Sequence, residues 1–144
     1  MTPDVNVLVA ASRSDHPHHA VAHGWLDNAV KRAQAAVPLT LQPMVTASFL
    51  RVVTHPKVFV HPTPIAEAVR FVDDLLSMPG ISAPTLGQEW PVLHKLCVEK
   101  NLSANDLPDA WLAAAVIHQG EHLVTFDRDF SRLLKRSQLT RLTA

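Results

Sequence analysis

Residues 106–129 read Asp106-Leu107-Pro108-Asp109-Ala110-Trp111-Leu112-Ala113-Ala114-Ala115-Val116-Ile117-His118-Gln119-Gly120-Glu121-His122-Leu123-Val124-Thr125-Phe126-Asp127-Arg128-Asp129. The first part predicts a helix over Asp106–Gln119. Asp106 is placed to cap it, Pro108 sits in its first turn, and Leu112, Ala113, Val116 and Ile117 form an apolar stripe that Gly120 ends. The second part predicts a strand over His122–Phe126, bounded by Gly120 and Asp127. Its continuous apolar run, without polar alternation, suits a strand buried on both faces of a parallel sheet. A helix feeding such a strand, with acids just past its carboxyl end, points to an α/β domain whose site lies beyond the strand ends.

The same alternation extends outward. A helix is expected over His16–Ala36, from the spacing of Val21, Trp25, Leu26, Ala29 and Val30, and a buried strand over Val37–Leu41. Val45, Phe49, Leu50 and Val53 predict a helix over Val45–Val53 that His55-Pro56 terminates. Pro64 opens another, with Ile65, Val69, Val72, Leu75 and Leu76 on one face. A short strand within Gly80–Leu86, a helix over Trp90–Lys100, a short helix after Asp127 and a last strand over Leu139–Leu142 complete the pattern. By its valines alone, Val5–Ala11 reads as a further strand.

Composition narrows the class. A chain of 144 residues with 47% hydrophobic content predicts one domain spanning 1–144 with a sizeable core. Thirteen Lys+Arg against 13 Asp+Glu give zero net charge, which excludes coating of nucleic acid by bulk charge but leaves room for a local basic patch. Neutrality also favours association. The single cysteine, Cys97, excludes an intramolecular disulfide and a cysteine-rich zinc module, and its place on an apolar stripe predicts a core residue. No signal-peptide pattern and no apolar run of membrane-spanning length are present, so a soluble cytoplasmic protein without a membrane is expected.

Most of the acids fall on predicted solvated helix faces. Asp4, Asp109, Asp127 and Asp129 do not. Singly, each has an ordinary explanation in a helix cap or a turn. Together, at strand and helix ends that can converge on one crevice, they would repel, and a hard divalent cation is the natural remedy. Mg2+ takes oxygen ligands and suits phosphate chemistry.

Four segments then carry a family resemblance: Asp4-Val5-Asn6-Val7-Leu8, Phe49-Leu50-Arg51-Val52-Val53-Thr54-His55-Pro56, Pro108-Asp109-Ala110-Trp111-Leu112, and Thr125-Phe126-Asp127-Arg128-Asp129. In this order and spacing they resemble PIN-domain ribonucleases, above all the VapC-type toxins of bacterial toxin–antitoxin systems. The resemblance implies a three-layer α/β fold with a central parallel sheet of four to five strands flanked by helices. It replaces the strand at Val5–Ala11 by a helix, with Asp4 ending a very short first strand and Asn6 orienting Asp4. It implies that Asp4, Asp109 and Asp127 are catalytic and hold Mg2+ or Mn2+, with Asp129 a further acid of the metal site. Thr125 matches a small hydroxyl residue expected to contact substrate or a ligand. The implied reaction is hydrolysis of RNA phosphodiester bonds, in a homodimer neutralised by a cognate antitoxin.

The sequence departs from the family at Ser48, where an acid, usually Glu, is the rule. A neutral hydroxyl should weaken cation binding, because affinity follows ligand charge. A weakened enzyme is therefore expected. A PIN-fold protein that binds RNA or antitoxin without turnover, and a nuclease of housekeeping RNA processing, are the alternatives. Basic residues gather near the C-terminal acids: Arg128, Arg132, Lys135, Arg136 and Arg141. With Arg13, Arg51 or Lys57 they suggest an RNA-phosphate track, against the simpler reading of a solvated face. His16, His18, His19 and His23 lack a third ligand at fixed spacing and are read as ordinary polar residues rather than a zinc site. Trp25, Trp90 and Trp111 are expected in core or interface, with base stacking kept open for Trp111.

Overall fold

Pro3 interrupts the hydrogen bonding in the middle of the sheet on which the domain is built. The structure, a computed structural model, describes residues 1–143; Ala144, the end of the expected domain span, lies outside them. Among the described residues are five short strands: β1 (Thr2–Pro3), β2 (Leu39–Thr40), β3 (Ile81–Ser82), β4 (Leu123–Thr125) and β5 (Leu139–Arg141). β1 pairs in parallel with β4, β4 with β5, and β2 with β3. The two ladders meet where the Thr40 N–H donates to the Met1 carbonyl at 2.8 Å. The next donor on that edge would be the amide of Pro3, which has no N–H. The Thr2 hydroxyl takes its place and donates to the Thr40 carbonyl at 2.6 Å. The spatial order is thus β3-β2-β1-β4-β5, all parallel, as the sequence and the resemblance predict.

Among the described residues, six helices flank the sheet: α1 (Val5–Ser12), α2 (His19–Ala35), α3 (Pro43–Val53), α4 (Ile65–Leu76), α5 (Trp90–Lys100) and α6 (Leu107–Gln119). α1 corrects the purely local reading of its valines. Val7, Leu8, Val9, Ala10 and Ala11 are all buried, because α1 packs against both α2 and α3. Burial all round removes the amphipathic period by which a helix is recognised. Pro43, Pro91 and Pro108 stand in the first turns of α3, α5 and α6, where a missing N–H is harmless. Gly120 ends α6 in the left-handed region at φ 65°.

Three local expectations change. α2 starts at His19, three residues later than predicted from His16. Asp106 does not cap α6; its carboxylate turns back to accept from the Ser103 N–H at 3.1 Å. Cys97 is half-buried rather than in the core. Gly80, at φ 79° before β3, lies against α2 so closely that a Cβ would come within 2.1 Å of the Ala33 carbonyl oxygen. No helix among the described residues is long and apolar enough to cross a membrane.

Candidate functional site

The site forms at the carboxyl end of β1 and β4, where the chain leaves the sheet on both strands. Asp4 follows β1 and caps α1: its Oδ1 accepts from the Val5 N–H at 2.7 Å. The carboxylate is only 7% exposed. Its Oδ2 accepts from the Thr125 hydroxyl at 2.7 Å. Burial pushes this carboxyl above the ordinary aspartate value; the bonds from Thr125 and Val5 pull the other way, and the charge of Asp127 adds to the rise.

Thr125 is the hub of the arrangement. It is fully buried at the end of β4, and its hydroxyl also accepts from the Asp127 N–H at 2.9 Å and from the Asn6 amide at 3.2 Å. The Asn6 carbonyl oxygen accepts from the Phe126 N–H at 3.2 Å. Asn6 therefore reaches Asp4 through Thr125 and clamps the start of α1 to the end of β4. Thr125 is enclosed, and its hydroxyl positions Asp4 and the Asp127 backbone.

Asp127 is half-buried, and its Oδ1 accepts from the Asp129 N–H at 2.8 Å, opening a 3-10 turn over Arg128–Arg132. It serves as a turn-former while its charge reaches Asp4 and Asp109. Asp109, in the first turn of α6, is pushed up to about 6, first by burial and then by the charges of Asp4, Asp127 and Asp129, with Arg132 opposing. The four acids separated in sequence thus share one electrostatic neighbourhood.

This donor set fits a hard divalent cation: all ligating atoms are oxygens, and the accumulated charge that raises Asp109 is what such an ion relieves. Among the described residues, no three carboxylate, imidazole or thiol side chains form a ready-made metal cluster.

A crevice of about 450 Å3 opens beside Asp4 and Asp109. Ser48, on α3, lines the same crevice, so the position that departs from the family pattern lies at the site. The remaining wall includes Met44, Leu93 and Trp111, which helical spacing alone had no reason to bring together. Asp127 and Asp129 are not among its lining residues.

The basic residues divide. Arg13 is only 8% exposed: it binds both carboxylate oxygens of Asp15 at 3.0 and 2.7 Å, the Thr63 hydroxyl at 2.9 Å and the His61 carbonyl at 2.9 Å, and lies over the Phe59 ring. Its guanidinium ties the loop after α3 to the end of α1 and is not offered to RNA. Arg51 and Arg128 are exposed. Arg132 stands 3.8 Å from Asp106 and lines a second groove, of about 650 Å3, with Lys95, Lys100 and Lys135. Glu99 lines the same groove and stands 3.9 Å from Lys95.

Other polar features escaped the sequence. Gln42 is fully buried and exchanges amide hydrogen bonds with Gln119 at 2.7 and 3.2 Å. His18 stacks on Phe126 at 4.9 Å between ring centroids, and the His19 ring bonds the Ala10 carbonyl at 2.9 Å. Trp90 is exposed rather than core.

The model of the PIN domain matches residues 1–135, and the chain belongs to the PIN-domain family. Within it, the chain is similar to VapC proteins. The chain is 39% identical to Ribonuclease VapC31 and to Ribonuclease VapC25 of Mycobacterium tuberculosis, each over 90% of this chain and 89% of the relative. Among solved structures, VapBC2 from Rickettsia felis, bound to a DNA fragment from its promoter, superposes with a TM-score of 0.64 at 17% identity, covering 99% of this chain and 98% of that one. M. tuberculosis VapC20, described as a sarcin-ricin loop cleaving toxin, superposes with a TM-score of 0.58 at 19% identity, covering 90% and 92%. At these identities the two structures establish the shared fold.

Proposed function

We propose that this protein is the endoribonuclease toxin of a toxin–antitoxin pair, hydrolysing RNA phosphodiester bonds with Mg2+ or Mn2+. The observation that carries the reading is that burial, and then the charges of Asp4, Asp127 and Asp129, push Asp109 up to about 6, in a chain 39% identical to VapC ribonucleases. Asp4, Asp109 and Asp127 would hold the cation, and Asp129 would add charge beside them. Such an ion, when bound, stabilises negative charge on phosphate oxygens and lowers the pKa of a bound water. The chain's own part is positional. Thr125 and Asn6 hold Asp4 still, and one of the aspartates orients the attacking water or takes its proton. Arg51, Arg128 and Arg132 supply phosphate contacts.

The partners that go with this reading are a cognate antitoxin covering the acidic crevice and a second copy of the chain. Ser48 in the crevice supports an attenuated enzyme, since a neutral hydroxyl stands where a further charge would tighten the cation. Purified protein with cellular RNA and Mg2+ or Mn2+ is expected to cleave, and the Asp4→Asn variant to lose cleavage. Equal cleavage by the variant overturns the assignment.

A further inference from the structure

The crevice beside Asp4 and Asp109 is charged at one boundary and apolar elsewhere. Met44 reaches it from α3, Leu93 from α5 and Trp111 from α6. Trp111 remains 39% exposed although Ala110 and Leu112 beside it are buried. The indole is thus exposed between buried neighbours on α6, and aromatic side chains are the common platform for unstacked bases of single-stranded RNA. Ser48 is the one uncharged polar side chain among the lining residues.

The occupant follows from what the carboxylates require. Both oxygens of Asp4 already accept within the chain, but a purely apolar side chain filling the crevice would cover Asp109 without giving it a hydrogen-bond donor, which is costly. A nucleoside brings an apolar ring face together with ribose hydroxyls and exocyclic amines that donate to carboxylates. A nucleoside is also tied covalently to any phosphate held by these acids, so it reaches a cavity contiguous with them without a separate binding event. We propose that the apolar part of this crevice is a nucleobase pocket, in which Trp111 stacks on the base attached to the scissile phosphate and thereby sets specificity; this rests on the ribonuclease reading above. With Met44 and Leu93 as the other walls, the pocket selects by size and stacking more than by a hydrogen-bond code, and purines are favoured.

The test uses single-stranded oligoribonucleotides in which each position in turn is abasic. For the unmodified protein with Mn2+, one abasic position beside the cleaved bond is expected to lower kcat/KM roughly ten-fold, as loss of one stacked base does. In Trp111→Ala that penalty disappears, and Trp111→Phe restores it. An abasic penalty of equal size in Trp111→Ala overturns the proposal. Tryptophan fluorescence, read in chelator so that no cleavage occurs, gives an answer that does not depend on turnover. Quenching by the intact oligonucleotide, reduced by the abasic one and absent in Trp111→Phe, supports the pocket. Quenching that is unaffected by removal of any base, or no quenching at all, overturns it. Quenching without cleavage under any metal would leave the pocket standing while the nuclease reading fails. Protection of Trp111 by an apolar peptide but not by RNA would assign the crevice to a protein partner instead and overturn the proposal.

Discussion

Asp4, just after β1, and Glu121, before β4, are carboxylates at opposite ends of the sheet, and their surroundings treat them in opposite ways. Glu121 precedes β4. Burial alone would raise its pKa, but the Met1 amine at 2.7 Å, the Thr40 hydroxyl at 2.8 Å and the His122 N–H at 3.3 Å together hold it below the ordinary glutamate value. Asp4 faces the far end of β4, has no cation of the chain against it, and is raised. A carboxyl raised on folding opposes the folded state where it is charged, whereas a lowered one supports it. The amino end of the sheet therefore satisfies its charges internally. At the carboxyl end Asp4 accepts two hydrogen bonds but faces the charge of Asp127.

The comparison can be broken by exchanging the expected consequences. Asp4→Asn should lower RNA cleavage about 100-fold or more, measured as kcat/KM, while leaving the Tm unchanged or higher, since an amide still caps α1 and a buried charge is removed. A fall in both would make Asp4 structural, like Glu121. At the other end, Gly80→Ala should cost about 2 kcal/mol or more in urea unfolding, because the left-handed backbone and the Ala33 carbonyl both refuse a Cβ. Cleavage per folded molecule should persist.

Glu121→Gln should cost about 1 kcal/mol at neutral pH. Because the folded-state pKa of Glu121 is lowered, its contribution is complete above the unfolded value of 4.5 and fades as pH falls through the folded one. The stability difference between the two proteins should accordingly shrink in acid; a difference independent of pH would remove the charge from the account. Ser48→Glu is the smallest and sharpest change. It should raise Mn2+ affinity and cleavage several-fold, and no change in either would show that the crevice does not use that position for charge.

The segments legible in the sequence were those with local punctuation. Pro108 and Gly120 bracket α6, and Pro43 and Pro91 open α3 and α5, because ring geometry and left-handed backbone act on their own residues. Asp4, Asp109, Asp127 and Asp129 stood out because acids beside buried apolar runs need a reason. Their common electrostatic neighbourhood is visible only once β1, β4 and α6 are assembled. Nothing along the chain marks Arg13 as bound to Asp15 and the loop at Thr63, since a buried and an exposed arginine look alike in sequence.

By itself, then, the sequence determined the alternation of helices with short apolar strands, the parallel sheet, the acids and the departure at Ser48. These rest on residue chemistry that acts within a turn or two of the chain. The helix at Val5–Ser12, which the resemblance implied against the local reading of its valines, is borne out, but it took the assembled fold to show that Thr125 is an enclosed hub and that Met44, Leu93 and Trp111 wall one crevice. Each of these depends on partners far apart in sequence, where burial on every side erases the periodic pattern and a hydroxyl's role is set by whichever groups the fold brings to it.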